Sequence, residues 1–156
     1  MRRSIPQTTF ALAALLSPAL TFGALGGSAS SIQADQARLK AQSRVARSAP
    51  RYTVQQIQTD YGTTVNEYVS ANGTVFAVSW KGPVLPDLRQ ILGQYFTSYV
   101  EAGKSKHGGH SHLSIEQPGL VAHSSGHLRA FSGSAYIPGA LPSGLTASDI
   151  LLPEQT

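Results

Sequence analysis

The stretch VSANGTVFAVSW, Val69 to Trp80, decides the fold. Asn72-Gly73 lies between two runs rich in β-branched and aromatic residues, which is the composition of a β-hairpin. A two-residue hairpin turn needs positive φ at both central positions, and asparagine and glycine tolerate that best. With Ala71 facing Thr74, Val69 faces Phe76, Glu67 faces Val78 and Val65 faces Trp80. Side chains alternate along a strand, so Val65, Val69, Phe76, Val78 and Trp80 share one face, the core side. Glu67 falls on that face as well. A carboxylate there is costly unless it is paired, hydrogen-bonded or close to water. Two readings follow: a sheet-margin residue whose oxygens reach solvent, or a partly buried ion pair with Arg129.

Outward from the hairpin, YTVQQIQ (Tyr52 to Gln58) and TTVNEYVS (Thr63 to Ser70) read as strands joined by a turn at Asp60-Tyr61-Gly62. Downstream, Pro83 and Pro86 precede LRQILGQYFTSYV. Pro86 suits a first helical position, and Asp87 complements the dipole of the first turn. Leu88, Ile91, Leu92, Tyr95, Phe96, Tyr99 and Val100 recur at spacings of three and four, one wide apolar stripe. Gly103 is the expected stop. LSIE (Leu113 to Glu116), LVAHS (Leu120 to Ser124) and HLRAFSGSAYIP (His127 to Pro138) read as short strands, with turns at Gln117-Pro118-Gly119 and Ser125-Gly126. Gly139, Pro142 and Gly144 mark an irregular tail, with a short helical turn near Thr146 to Ile150. The fold class is α+β: an antiparallel sheet of about five to six short strands packed against one amphipathic helix. Trp80, Phe76, Leu92 and Phe96 are expected in contact or one neighbour apart.

The N-terminus reads as an export signal. Met1-Arg2-Arg3 is a positive start, and Phe10 to Phe22 is an apolar core of thirteen residues. Small residues before Ala24 suit signal peptidase, so residues 1–23 are expected to be removed. A membrane span needs ~20 apolar residues, so no transmembrane segment is expected after cleavage. Residues 24–51 hold Arg38, Lys40, Arg44, Arg47 and Arg51 against Asp35 alone, with almost no large apolar side chains. They read as a basic, disordered linker leading a single small domain over residues 52–156.

Formal charge over the 156 residues is +4, yet from Tyr52 onward five basic residues face seven acidic ones. That balance does not suit nucleic acid. The chain has no cysteine. Disulfides, thiolate metal sites and cysteine nucleophiles are therefore excluded, and stability must come from the hydrophobic core. No G-x-S-x-G elbow, paired carboxylates or phosphate-binding glycine loop occurs, so no catalytic residue or bound cofactor is assigned.

All five histidines lie between His107 and His127. In HGGHSH, His107, His110 and His112 are candidate ligands for Zn, Cu or Ni, since imidazole suits these ions. The glycines that let the rings converge also raise the ordering cost, and Lys104 and Lys106 add repulsion. Such a site would bind weakly and select poorly. The competing reading is a solvated polar loop. His123 and His127 flank the expected Ser124-Ser125-Gly126 turn and, with Arg129, are candidate interaction residues.

The runs EYVSANGTVFAVSWKGPVLPDLRQILGQYF (Glu67 to Phe96) and SSGHLRAFSGSAYIP (Ser124 to Pro138), together with ALGG (Ala24 to Gly27), resemble an exported bacterial family catalogued as a domain of unknown function, DUF 2844. The resemblance spans the signal segment and the body from Tyr52 to about Ile150. It implies a place in a bacterial envelope and brings no activity, cofactor or site residue. His127 and Arg129 lie inside the matching run GHLRAF, whereas HGGHSH lies outside it. The expected function is a secreted or periplasmic, non-enzymatic module that binds another envelope component. Its candidate surfaces are the sheet face away from the helix and the Ser124 to Arg129 turn. The runner-up is a low-affinity periplasmic metal binder using His107, His110 and His112.

Overall fold

The computed structural model describes residues 25–29, 37, 39–105 and 112–151. The expected signal segment, its cleavage point, and His107 and His110 lie outside the described residues. Strands β1 (Ala41–Ser48), β2 (Tyr52–Thr59), β3 (Thr64–Ser70) and β4 (Val75–Gly82) form a meander. Helix α1 (Leu88–Leu92), a 3₁₀ turn (Gly93–Tyr95) and helix α2 (Phe96–Ser105) follow. Strands β5 (His112–Gln117), β6 (Leu120–His127) and β7 (Ala130–Tyr136) form a second meander, and α3 (Ala147–Leu151) closes the described chain. The two meanders join edge to edge between β4 and β7, giving one antiparallel sheet in the order β1-β2-β3-β4-β7-β6-β5. The α+β class holds, with seven strands rather than five or six.

The extra strand is β1, in the stretch expected to be a disordered linker. Its sequence AQSRVARS has one β-branched residue and no apolar alternation. An edge strand can form without either, because its main-chain ladder to β2 supplies the hydrogen bonds; charged side chains along it also discourage pairing with another chain. Further upstream Leu25 is 1% exposed, and its amide donates to the Ile91 carbonyl at 2.9 Å. Leu39 is buried in the same core. The folded unit therefore includes residues upstream of Arg51.

The hairpin forms where expected, with a different turn. Ser70, not Ala71, pairs across the loop: the Ser70 amide donates to the Thr74 carbonyl at 2.9 Å, and the Gly73 amide to the Ser70 carbonyl at 2.9 Å. Gly73 has φ +82°, the left-handed position of a three-residue loop. This slips the register by one residue, so Val69 faces Val75. A β-bulge at Phe76 takes up the slip and restores the Glu67–Val78 and Val65–Trp80 pairs. The same bulge turns Phe76 to the opposite face. There it packs with Tyr68 and Ala77, its ring 6.0 Å from that of Tyr52. The expected contact of Phe76 with Trp80 is thus replaced by two clusters, one on each side of the sheet.

The larger cluster lies under the helices. Val65, Val78, Trp80, Ile91, Leu92, Leu120 and Ala135 are buried together, with Phe96 and Tyr99 packed against them. Each such large side chain withdrawn from water contributes ~1.5–3 kcal/mol. The expected single helix is broken at Gly93, whose φ of +51° leaves helical space. Asp87 rather than Pro86 starts α1, accepting from the amides of Arg89 at 2.9 Å and Gln90 at 3.3 Å. Gly103 does not end α2, which continues to Ser105. No described helix is long and apolar enough to cross a membrane.

The expected turn at Ser125-Gly126 is instead continuous strand, and the chain reverses at Leu128-Arg129. Gly126 serves packing: it pairs with Phe131, and a Cβ there would lie 2.8 Å from that ring. Gly133 stands in the same relation to Trp80, with a Cβ falling 2.6 Å from Cε2 of the indole. A glycine opposite an aromatic ring makes room for it without turning the strand.

Candidate interaction face

The helices cover one face of the sheet, and the other carries a different kind of side chain. Alternation along each strand puts Gln56, Asn66, Ser79, Ser134, His123 and Ser114 on the face away from the helices. Pairing registers place them side by side: Gln56 with Asn66, Asn66 with Ser79, Ser79 with Ser134, Ser134 with His123, and His123 with Ser114. This is one row running across six strands. Gln56 Nε2 donates to Asn66 Oδ1 at 3.2 Å, and Asn66 Nδ2 to Ser79 Oγ at 3.2 Å. At the far end Ser114 Oγ and His123 Nδ1 are 3.1 Å apart.

One step further along the strands a second row crosses the sheet through Ser43, Gln58, Thr64, Lys81, Ser132, Ser125 and His112. Thr64 Oγ1 donates to Gln58 Oε1 at 2.7 Å, and the Ser125 and Ser132 hydroxyls are 2.9 Å apart. In the opposite direction the next row turns apolar at Tyr68, Ala77 and Tyr136. Ala140, Leu141 and Leu145 of the tail pack on that end. Tyr68 OH lies 3.4 Å from Ser79 Oγ, joining the apolar and polar rows. Burial holds the Tyr68 hydroxyl above its ordinary pKa, partly offset by the Ser79 contact, so it stays protonated.

The sequence candidates divide between the faces. Glu67 is 1% exposed on the helix side, so it is no margin residue reaching water. Directly opposite it stands Gln55, whose Oε1 accepts from Arg44 Nε at 2.9 Å. Arg129 is not its partner. That residue is exposed on the β6–β7 turn, at φ +60°, two strands from β3. Left-handed φ is unfavourable for a side chain other than glycine, asparagine or aspartate, so this turn is strained. Beside it Leu128 is 96% exposed.

His123 and His127 do not approach across a turn, because both lie on β6 and point to the open face. His112 opens β5 and is exposed, diagonal to His123. Among the described residues no three His, Cys, Asp or Glu side chains are grouped to hold a metal. The Ser114–His123 pair is exposed and has no carboxylate bonded to the imidazole among the described residues, so it lacks the orienting acid and the dry pocket of a hydrolytic triad. Sequence reasoning singled out the open face and His123, but missed the two rows, which only the register assembles.

Fold and face together define a small α+β module: a seven-stranded antiparallel sheet, closed by helices on one side and presenting ordered polar rows on the other. The chain belongs to the family described as protein of unknown function (DUF2844), whose model matches residues 21–150. No curated protein and no solved structure matches it.

Proposed function

We propose that the chain is exported through residues 1–23, functions in the periplasm or outside the cell, and acts there as a non-enzymatic module binding an envelope component through the open face. The carrying observation is the pair of cross-strand polar rows, Gln56 to Ser114 and Ser43 to His112. The bonds Gln56–Asn66–Ser79, Thr64–Gln58, Ser125–Ser132 and Ser114–His123 hold these polar side chains in place on the side the helices leave uncovered. The composition without disulfides fits an export product that relies on its core, and the positive start followed by a short apolar run supports the route. Fractionation of cells expressing the full-length chain tests the reading. Expected is a shortened product that pellets with washed envelopes; an uncleaved product confined to the cytosol would overturn it.

A second reading has one observation in its favour. His112, the last residue of the HGGHSH run, and His123 are diagonal neighbours on the open face. Weak Zn, Cu or Ni binding would draw further ligands from His107 and His110. Calorimetry with Cu(II), Ni(II) and Zn(II) against a His107→Ala/His110→Ala/His112→Ala variant decides it, and equal heats would end the metal reading.

A further inference from the structure

We infer that the ligand of the open face is an extended glycan lying across the strands, along the two polar rows. This deepens the envelope-binding reading and rests on it.

Charge complementarity narrows the ligand first. Neither row contains a carboxylate, and together they hold one lysine, Lys81, beside amides, hydroxyls and imidazoles. A phosphate-rich ligand or an anionic membrane would call for clustered lysines and arginines. A protein partner would call for a buried aromatic or aliphatic anchor at the centre of the patch. The apolar end of this face is already occupied by Ala140, Leu141 and Leu145 of the chain's own tail. What remains is a polar centre in which Ser79 is nearly covered by its neighbours, with Val45 and Arg47 exposed at the β1 margin and Glu116 at the β5 margin. Carbohydrate hydroxyls both donate and accept, and so do the amides and hydroxyls of the rows.

Geometry agrees. Strands lie ~4.8 Å apart, so a row across six of them is a repeating track roughly 24 Å long. That repeat is close to the length of one pyranose unit in an extended chain. The Gln56–Asn66–Ser79 bonds hold these side chains in fixed orientations, which lowers the entropy lost on binding. Tyr136 is the same-face neighbour of Ser134 on β7 and offers a half-buried ring beside the track.

The test is co-sedimentation of the protein, expressed from the full-length chain, with insoluble chitin, insoluble cellulose, purified peptidoglycan sacculi and phosphatidylglycerol vesicles. Two variants break the rows separately, Asn66→Ala/His123→Ala and Gln58→Ala/Lys81→Ala, and Lys104→Ala on α2 is the control. Each variant removes two ligand bonds, so either row variant should bind about tenfold more weakly, with the control unchanged. Affinity for soluble chito- or cello-oligosaccharides should rise with chain length until the track is spanned. Pelleting with none of the three polysaccharides, or equal pelleting by both row variants and the parent, overturns the inference. Vesicle binding alone also overturns it while leaving the envelope reading intact. A chain that never reaches the envelope fraction removes that reading first.

Discussion

The two faces of this sheet share the same strands, yet their side chains meet opposite demands. On the helix side Trp80 lies over Gly133 and Phe131 over Gly126, so each ring occupies the space a cross-strand Cβ would need. On the other side no Phe, Tyr or Trp ring stands in the two polar rows, and neighbouring amides and hydroxyls bond to one another. Burial and close fit hold the first face together; hydrogen bonds that compete with water hold the second. The difference teaches where this chain invests stability and where it keeps surface for recognition. It also sets an order of expected mutational cost.

Trp80→Ala should be the most damaging change, costing about 3–5 kcal/mol through the cavity it leaves. Urea unfolding followed by far-UV circular dichroism measures it. Trp80→Phe should cost less, because the buried indole N–H has no hydrogen-bond partner among the described residues and nothing polar is orphaned by its loss. A loss below about 1 kcal/mol for Trp80→Ala would mean that the helix-side core is not packed as described. Gly133→Ala comes next. Its methyl group would also meet the His123 carbonyl oxygen at 2.8 Å, backbone that cannot easily yield. Overpacking of this kind costs about 1–3 kcal/mol, readable as a fall in the urea midpoint at unchanged slope. Asn66→Ala on the open face removes two part-buried side-chain bonds at the cost of about 1 kcal/mol. Should Asn66→Ala prove as harmful as Gly133→Ala, the open face would be structural rather than a recognition surface.

How much of this was legible in the sequence depends on whether a feature is local. Asn72-Gly73 placed the hairpin, and alternation gave the Glu67–Val78 and Val65–Trp80 pairs. These pairs survive because a loop one residue longer is cancelled by the bulge at Phe76. Phe76 itself was misplaced, since a bulge inside an apolar run leaves no mark in composition. The covering helix was legible from its stripe, while its break at Gly93 was not separable from a tolerated interior glycine. β1 was hidden because an edge strand needs main-chain partners more than apolar side chains. Gly126 looked like a turn residue, and only the ring of Phe131 opposite it explains why it is glycine. Of the open face, the Asn66–Ser79 pair was within reach of the hairpin register. The extension through Ser134, His123 and Ser114 depends on β4 pairing with β7, about a third of the chain away, and no local pattern encodes that.

The weakest expected effect concerns the tail that covers the apolar end of the open face. Arg51 Nη1 donates to the Ser143 carbonyl at 2.7 Å, tying this segment to the start of β2. Just beyond, Asp149 Oδ2 accepts from the Thr146 amide at 2.7 Å and its hydroxyl at 2.6 Å, fixing the entry to α3 in the manner of a capping box. These Thr146 bonds, aided by the charge of Arg51, hold the Asp149 carboxyl below its ordinary pKa of 3.8. A group whose pKa is lower in the folded chain lends stability above the unfolded value and loses it as pH falls through the folded one. The cap should therefore persist at neutral pH and open only in acid, below the usual aspartate range. The NMR shift of the Thr146 amide should follow that titration, while the Gly73 amide in the Ser70–Thr74 loop, bonded only to main chain, stays put. Asp149→Asn should remove the titration and fray residues 146–149 with little change in the urea midpoint, since the carboxylate is fully exposed. A large global loss would instead show that the tail is an integral wall of the open face, and the polar rows would then have less free edge than their register implies.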